Sequence, residues 1–199
     1  MDETVRWIKE HPGMTGILAL YALFFLILYS DPATGDALLV NPETMFQEPW
    51  TLITVIFATG SVMHLLLNGF LVIMFGGKLE KTLGTGTSVM MFLIMGLMGS
   101  VALFLYAPFM TWTGEPAALA SVAAIGVAAI YTGLIKDAEI MGSKAKRWVF
   151  IMFIMNIVLS WQNEELTLLG PAHGLAIALG YGIGYGLRKS TEAKGHTES

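Results

Sequence analysis

Only 13% of the 199 residues are charged, whereas 55% are hydrophobic and the mean hydropathy is +0.66. Soluble domains carry about 25% charged residues, so this composition predicts a membrane protein with a single helical bundle. The chain has no cysteine, which excludes disulfides and thiolate metal sites, and the net charge of −4 says less than where the charges lie.

The first segment, residues 1–13, mixes acidic and basic residues with Trp7 and Ile8. This pattern predicts an amphipathic helix lying at the membrane surface. An apolar run at 14–29 follows and ends at a polar break. Basic residues before a short apolar run also resemble a secretory signal peptide. The rest of the chain favours a retained helix, and cleavage stays open as an alternative.

A long loop at 31–60 follows, and its second half is apolar enough to lie in the membrane interface. Further apolar runs bring the predicted helices to six, at about 14–29, 61–79, 87–107, 116–135, 148–162 and 168–187. Each is near the ~20 residues that cross the hydrocarbon core, although the fifth is short. The sequence therefore predicts an all-α, polytopic membrane domain over 14–187 and a polar tail over 188–199.

The charges predict how these helices are oriented. All eleven Lys and Arg residues fall on one side of the membrane if the six segments alternate in direction. The loops on the opposite side contain no base, and their acids are Asp31, Asp36, Glu43, Glu48, Glu115, Glu164 and Glu165. By the positive-inside rule, both termini are predicted to be cytoplasmic, with six helices crossing the membrane.

The polar side chains inside these apolar helices include His64, Asn68, Ser121 and His173. His64 and Asn68 are four residues apart, so they share one face of a helix. In the predicted topology, the second, fourth and sixth helices run inward, and all four residues lie at a similar depth near the outer ends. Ionisable or amide groups at membrane depth are costly and mark a functional site or an internal partner.

Small residues predict close packing between the fourth and sixth helices. The sixth helix carries a stripe of Ala176, Gly180 and Gly184, and the fourth offers Ala120, Ala124 and Ala128. Small residues spaced by four let two helix backbones approach closely in lipid. Such packing is expected to bring Ser121 within hydrogen-bond reach of His173.

These residue types suit acyl-transfer chemistry. A serine hydroxyl becomes an effective nucleophile when a nearby base takes its proton, and a histidine can perform that task. Ser121 and His173 fit this pair, while His64 and Asn68 fit the donors that a tetrahedral oxyanion needs. Each residue also has a simpler interpretation, because a single membrane histidine more often serves helix packing and because Ser100 is also embedded in a predicted helix.

In order and spacing, these residues resemble the rhomboid intramembrane serine proteases. The similar features are His64-x-x-x-Asn68, residues 76–84 closing the second helix, Ser121 followed by Gly126, and Ala172-His173 followed by Gly180 and Gly184. The resemblance covers about residues 14–187, and it is the combination of motifs that makes it specific.

The resemblance implies that Ser121 is the nucleophile and His173 the general base of a dyad without an acid. It implies that His64, Asn68 and the backbone N–H of Ser121 stabilise the oxyanion. The substrates would be transmembrane proteins, cleaved near the outer ends of their helices, with the fifth helix gating their access. We expect a multi-pass protein of a prokaryotic plasma membrane, surrounded by lipid, without cofactor, metal or nucleic-acid partner. The oligomeric state stays open.

One departure from the family pattern leaves a second function open. Leu119-Ala120-Ser121-Val122 stands where the family has Gly-x-Ser-Gly, so both glycines are replaced. Those glycines permit close backbone approach, and the β-branched Val122 is expected either to narrow the site or to misplace an N–H donor. The replacement favours a proteolytically inactive relative that binds membrane-protein clients, whereas the retained dyad and oxyanion donors favour the protease. A small transporter is disfavoured, because the spans contain no charged relay and the halves do not repeat.

Overall fold

The computed structural model of the chain describes residues 2–41, 43–109, 116–162 and 164–197. Within these ranges the fold is helical apart from loops and one short hairpin. The helices are α1 (Glu3–Glu10), α2 (Pro12–Ser30), α3 (Pro32–Asp36), α4 (Thr51–Thr54), α5 (Val62–Leu71), α6 (Gly77–Leu83), α7 (Thr85–Tyr106), α8 (Ala120–Leu134), α9 (Ala145–Gln162) and α10 (Glu164–Thr197). A π-helical segment, Val72–Gly76, joins α5 to α6, and the hairpin pairs β1 (Glu139–Ile140) with β2 (Ser143–Lys144).

In the part of the chain that the structure describes, three helical stretches are long and apolar enough to cross a membrane: Pro12–Ser30, Val62–Leu83 and Thr85–Phe109. The helix α8 is a shorter apolar helix, and α9 and α10 overlap the fifth and sixth predicted segments. The sixth segment was predicted to end at 187 before a tail at 188–199, whereas α10 runs from Glu164 to Thr197. Glu115 lies outside the described residues, and the six-span topology and the cytoplasmic termini stay predictions.

The helix α8 lies at the centre of the fold. Its side chains from Val122 to Leu134 are buried, apart from a half-buried Ile125, because α5, α7, α9 and α10 all pack against it. Alanine and glycine dominate this helix, so four neighbours can approach it closely.

The closest approach is between α8 and α10, as the small-residue stripe on the sixth helix predicts. A Cβ atom on Gly184 would collide with the carbonyl oxygen of Ile130, and one on Gly180 would press on Gly126 and Ala129. The stripe predicted for the fourth helix therefore needs correction. The α8 residues whose atoms lie nearest to the two added Cβ atoms are Gly126, Ala129, Ile130 and Leu134, and none of them belongs to the stripe of Ala120, Ala124 and Ala128.

A buried carboxylate ties the start of α2 to the junction of α6 and α7. Glu80, only 3% exposed, accepts hydrogen bonds from the backbone N–H groups of Gly13 at 2.8 Å and Met14 at 2.9 Å. It also accepts one from the Thr85 hydroxyl at 2.8 Å. The N-terminus of a helix attracts negative charge, and three donors replace the water that the carboxylate loses on burial.

The loop predicted at 31–60 is folded onto α7 and contains the short helices α3 and α4. Ser100 on α7 donates its hydroxyl hydrogen bond to the carbonyl oxygen of Leu52 at 3.0 Å. Ser100 is therefore a packing residue that holds the loop. This contact matters for the candidate site, because the same loop reaches the start of α8.

Candidate active site

The side chains of Ser121 and His173 form a direct hydrogen bond. Ser121 lies in the first turn of α8 and His173 lies on α10, and the Ser121 Oγ is 2.7 Å from the His173 Nε2. The imidazole is 8% exposed and the serine is half-buried. The close packing of α8 on α10 thus brings together the two residues that the sequence places on separate helices.

The second ring nitrogen of His173 decides the direction of this bond. Its Nδ1 is 2.9 Å from the backbone carbonyl oxygen of Leu169. Since a carbonyl oxygen can only accept, Nδ1 carries the proton of the neutral ring, and Nε2 presents a lone pair. Ser121 therefore donates to His173. The Leu169 carbonyl occupies the orienting role that a carboxylate has in a Ser-His-Asp triad.

The segment before Ser121 is held by backbone hydrogen bonds from the loop at 31–60. Val40 and Ala117 exchange a pair of bonds of 3.2 and 2.8 Å. The Leu119 N–H donates to the carbonyl of Val55 at 3.2 Å, and the Ala120 N–H to that of Ala58 at 3.4 Å. Four bonds over four residues fix the entry into α8. Sequence periodicity had no means of finding them, because backbone groups carry no residue-specific signal.

The same bonds explain how the chain dispenses with a glycine at position 119. Leu119 has φ −118° and ψ 14°, a conformation with negative φ that does not require glycine. Among the described residues, positive φ angles occur only at Met141, Gly84 and Gly142, far from the serine in the chain. No left-handed conformation is therefore required immediately before this serine.

Tyr21 on α2 is a site residue that the sequence analysis missed. It is fully buried, and its hydroxyl donates to the carbonyl oxygen of Ala120 at 3.1 Å. This contact ties α2 to the residue directly before Ser121. The available signal was a tyrosine inside an apolar helix, because a buried phenol usually finds a hydrogen-bond partner.

Val122 directs its bulk toward a neighbouring helix. Its side chain is fully buried and packs against Gly99 on α7, where a Cβ atom would collide with Val122 Cγ1. A glycine 23 positions earlier in the chain thus accommodates the valine, and the narrowing of the oxyanion site stays a prediction.

His64 and Asn68 lie on α5, which packs against α8. Ser61 caps this helix by accepting a hydrogen bond from the backbone N–H of His64 at 3.2 Å. The His64 side chain is exposed yet near enough to interact electrostatically with His173, whereas Asn68 is 4% exposed. Neither side chain makes a hydrogen bond within the described part of the chain, so both retain free donors.

The candidate site consists of hydroxyl, imidazole, amide and backbone groups. No group of three or more His, Asp or Glu side chains in 2–41, 43–109, 116–162 and 164–197 is arranged to hold a metal ion. The arrangement pairs a serine with a histidine base, and α5, which carries His64 and Asn68, packs on the helix that carries Ser121.

Comparison with known families gives an independent result. The sequence profile of the rhomboid domain matches residues 47–190, a range that includes Ser121, His173, His64 and Asn68. A comparison with curated proteins gave no match. The matched range exceeds half of the chain, and it begins in the loop before α4 and ends within α10.

Proposed function

Because the chain belongs to the rhomboid family and is an integral membrane protein, we propose that it is a serine endopeptidase that cleaves transmembrane substrates. Ser121 is the nucleophile and His173 is the general base. The observation that supports this proposal is the 2.7 Å hydrogen bond between Ser121 Oγ and His173 Nε2. Its direction follows from the bond between Nδ1 and the Leu169 carbonyl.

The proposed reaction uses one ring nitrogen throughout. His173 Nε2 takes the hydroxyl proton as Ser121 Oγ attacks the substrate carbonyl carbon, and then gives that proton to the leaving amine as the C–N bond breaks. An ester remains on Ser121. Water attacks this ester, Nε2 takes the proton of the water, and the proton returns to Ser121 Oγ as the acid product leaves. Nδ1 keeps its proton in each step, and this N–H stays hydrogen-bonded to the Leu169 carbonyl oxygen.

The negative charge on the tetrahedral intermediate needs donors near Ser121. Ser121 lies in the first turn of α8, where backbone N–H groups have no acceptor within the helix. The positive end of the helix dipole also favours an anion at this position. We propose that the backbone N–H of Ser121, the side-chain amide of Asn68 and the imidazole of His64 together form the oxyanion site.

The proposed membrane placement follows from the charge distribution. Six spans with cytoplasmic termini put the dyad near the outer side of a prokaryotic plasma membrane. A substrate helix would then be cleaved near its outer end, after lateral access beside the fifth helix. The support for this placement is the distribution of all eleven Lys and Arg residues along the chain.

A second candidate function rests on one observation. Both glycines of the family motif are replaced, by Leu119 and Val122, which favours a relative that binds membrane-protein clients without cleaving them. The negative φ of Leu119 and the packing of Val122 on Gly99 reduce the weight of this observation. The two functions differ in whether Ser121 is activated.

Labelling of the purified protein with a fluorophosphonate probe tests this difference. We expect wild type to be labelled, and Ser121→Ala and His173→Ala to lose labelling while circular dichroism shows that they stay folded. Ser30→Ala is the matched control, because Ser30 is exposed and its hydroxyl donates only to the Leu26 carbonyl of its own helix, and it should be labelled like wild type. Unlabelled but folded wild type would support the client-binding function, and labelled Ser121→Ala would refute the assigned nucleophile.

A further inference from the structure

An apolar groove runs between α9 and α10, closed at its base by α8, and has a volume of about 270 Å³. Its apolar walls come from both helices: Val149, Phe150 and Phe153 on α9, and Gly174, Ile177 and Ala178 on α10. The positions on each helix recur every three or four residues, so each set forms one continuous stripe. From residue 146 to 153 the groove is about 10 Å long.

The polar residues of the groove all lie at one end. Thr132 is in the last turn of α8 and Lys146 is in the first turn of α9. Tyr181 is at the same level, because its backbone approaches Gly133 in that last turn of α8. The opposite end, at Phe153 and Gly174, is apolar.

The position of Lys146 is set by the hairpin that joins α8 to α9. Met141 and Gly142 both have positive φ, which makes a tight reversal between β1 and β2. The indole N–H of Trp148 donates to the Ile140 carbonyl at 3.1 Å and fixes the first turn of α9 on the hairpin. The hairpin and this hydrogen bond therefore hold Lys146 at one end of the groove.

The charge of Lys146 is not neutralised within the described part of the chain. Lys144 pairs with Asp137 at 3.8 Å, whereas Lys146 has no ion pair or hydrogen bond there. Residues 136–147 contain four bases, Lys136, Lys144, Lys146 and Arg147, and two acids, Asp137 and Glu139. This end of the groove is thus positively charged and suits an anion.

We propose that the groove between α9 and α10 binds one anionic phospholipid, with an acyl chain along the apolar stripes and the phosphate on Lys146. An apolar channel about 10 Å long with a single unpaired cation at one end complements a lipid in both shape and charge. Tyr181 and Thr132 also line the groove at the end where the headgroup binds. A lysine near an anionic lipid headgroup contributes favourably to binding.

Native mass spectrometry of the delipidated protein, titrated with phosphatidylglycerol or phosphatidylcholine, tests the proposal. Wild type should bind the first phosphatidylglycerol about fivefold more tightly than phosphatidylcholine, which is the effect of about one lysine. Lys146→Gln should abolish this preference. Lys144→Gln should keep the preference for phosphatidylglycerol. This variant removes the same charge two positions away from Lys146, but from a lysine that is already paired with Asp137.

A second variant tests the groove itself. Ala178 is exposed, so Ala178→Phe fills the groove without disturbing the core and should weaken the first binding event for both lipids. The proposal would be overturned if wild type bound both lipids equally or if the two lysine variants lost the preference for phosphatidylglycerol to the same extent. It would also be overturned if Ala178→Phe bound the lipids as tightly as wild type. A dimer of wild type that Ala178→Phe dissociates, with no lipid preference, would show that a second copy occupies the groove.

Discussion

Val122 fills the space that Gly99 leaves on the neighbouring helix. The valine side chain is fully buried, and a Cβ atom on Gly99 would collide with its Cγ1 atom. A β-branched residue is therefore tolerated directly after the candidate nucleophile, because its side chain packs against α7. A substitution that looks damaging when the serine motif is considered alone is matched by a glycine on another helix.

This pairing predicts the outcome of Val122→Gly. A valine that narrowed the site would make this change a gain of activity, whereas its packing on Gly99 predicts a loss of about 3 kcal/mol of stability from an unfilled space and a helical glycine. Gly99→Ala should also destabilise, by about 1–3 kcal/mol, through overpacking. Unfolding in mixed detergent micelles would measure both.

The double variant Gly99→Ala with Val122→Gly is the sharper test. Because the methyl group on α7 would then occupy part of the space vacated by the valine, the double variant should be less destabilised than the sum of the single variants. Gly182→Ala, at a helical glycine with nothing within 4 Å of its added Cβ, serves as control. Additive losses would contradict direct packing between the two residues.

Tyr21→Phe should weaken the candidate site without unfolding it. The change removes the 3.1 Å hydrogen bond to the Ala120 carbonyl and should cost about 1 kcal/mol of stability. If the same energy is lost in the transition state, fluorophosphonate labelling slows about fivefold. Tyr29→Phe is the control on the same helix, since Tyr29 is 80% exposed. Equal labelling rates in the two variants would mean that Tyr21 does not position the serine.

The contact between Ser121 and His173 could be predicted because two features that are visible within short stretches of the sequence point to it. Apolar runs locate the helices, and the glycine stripe on the sixth helix identifies the face that approaches another backbone closely. The contacts of Tyr21, Glu80 and Val122 could not be predicted in this way. Each joins segments far apart in the chain, and hydrophobic periodicity does not say which helices are neighbours or which faces meet. The tyrosine inside an apolar helix was a sequence signal of one of these contacts, whereas Glu80 stands between Lys78 and Lys81 in the sequence.

Glu80→Gln should loosen the start of α2. The glutamine keeps one acceptor oxygen but loses the negative charge at the helix N-terminus and one of the two carboxylate oxygens that bond Gly13 and Met14. We expect a loss of about 1–3 kcal/mol of stability. Thr85→Val removes only one donor to Glu80 and should cost less, and the exposed Glu139→Gln should cost nothing measurable. Denaturation in mixed micelles would give the order, and a reversed order would refute the anchoring role of Glu80.

Gly184→Ala tests whether the approach of α10 to α8 sets the geometry of the dyad. The added methyl group would collide with the Ile130 carbonyl and press on the Leu134 backbone nitrogen, and backbone atoms have little room to move. The helices must then separate or shift, so we expect lower stability and at least tenfold slower labelling of Ser121. Gly182→Ala, two positions along the same helix, meets nothing within 4 Å and should be neutral or gain up to about 1 kcal/mol. If Gly184→Ala loses stability but keeps wild-type labelling, the distance between Ser121 and His173 does not depend on this end of the interface. In that case the contacts of Gly180 with Gly126 and Ala129, nearer to the dyad along α10, set that distance.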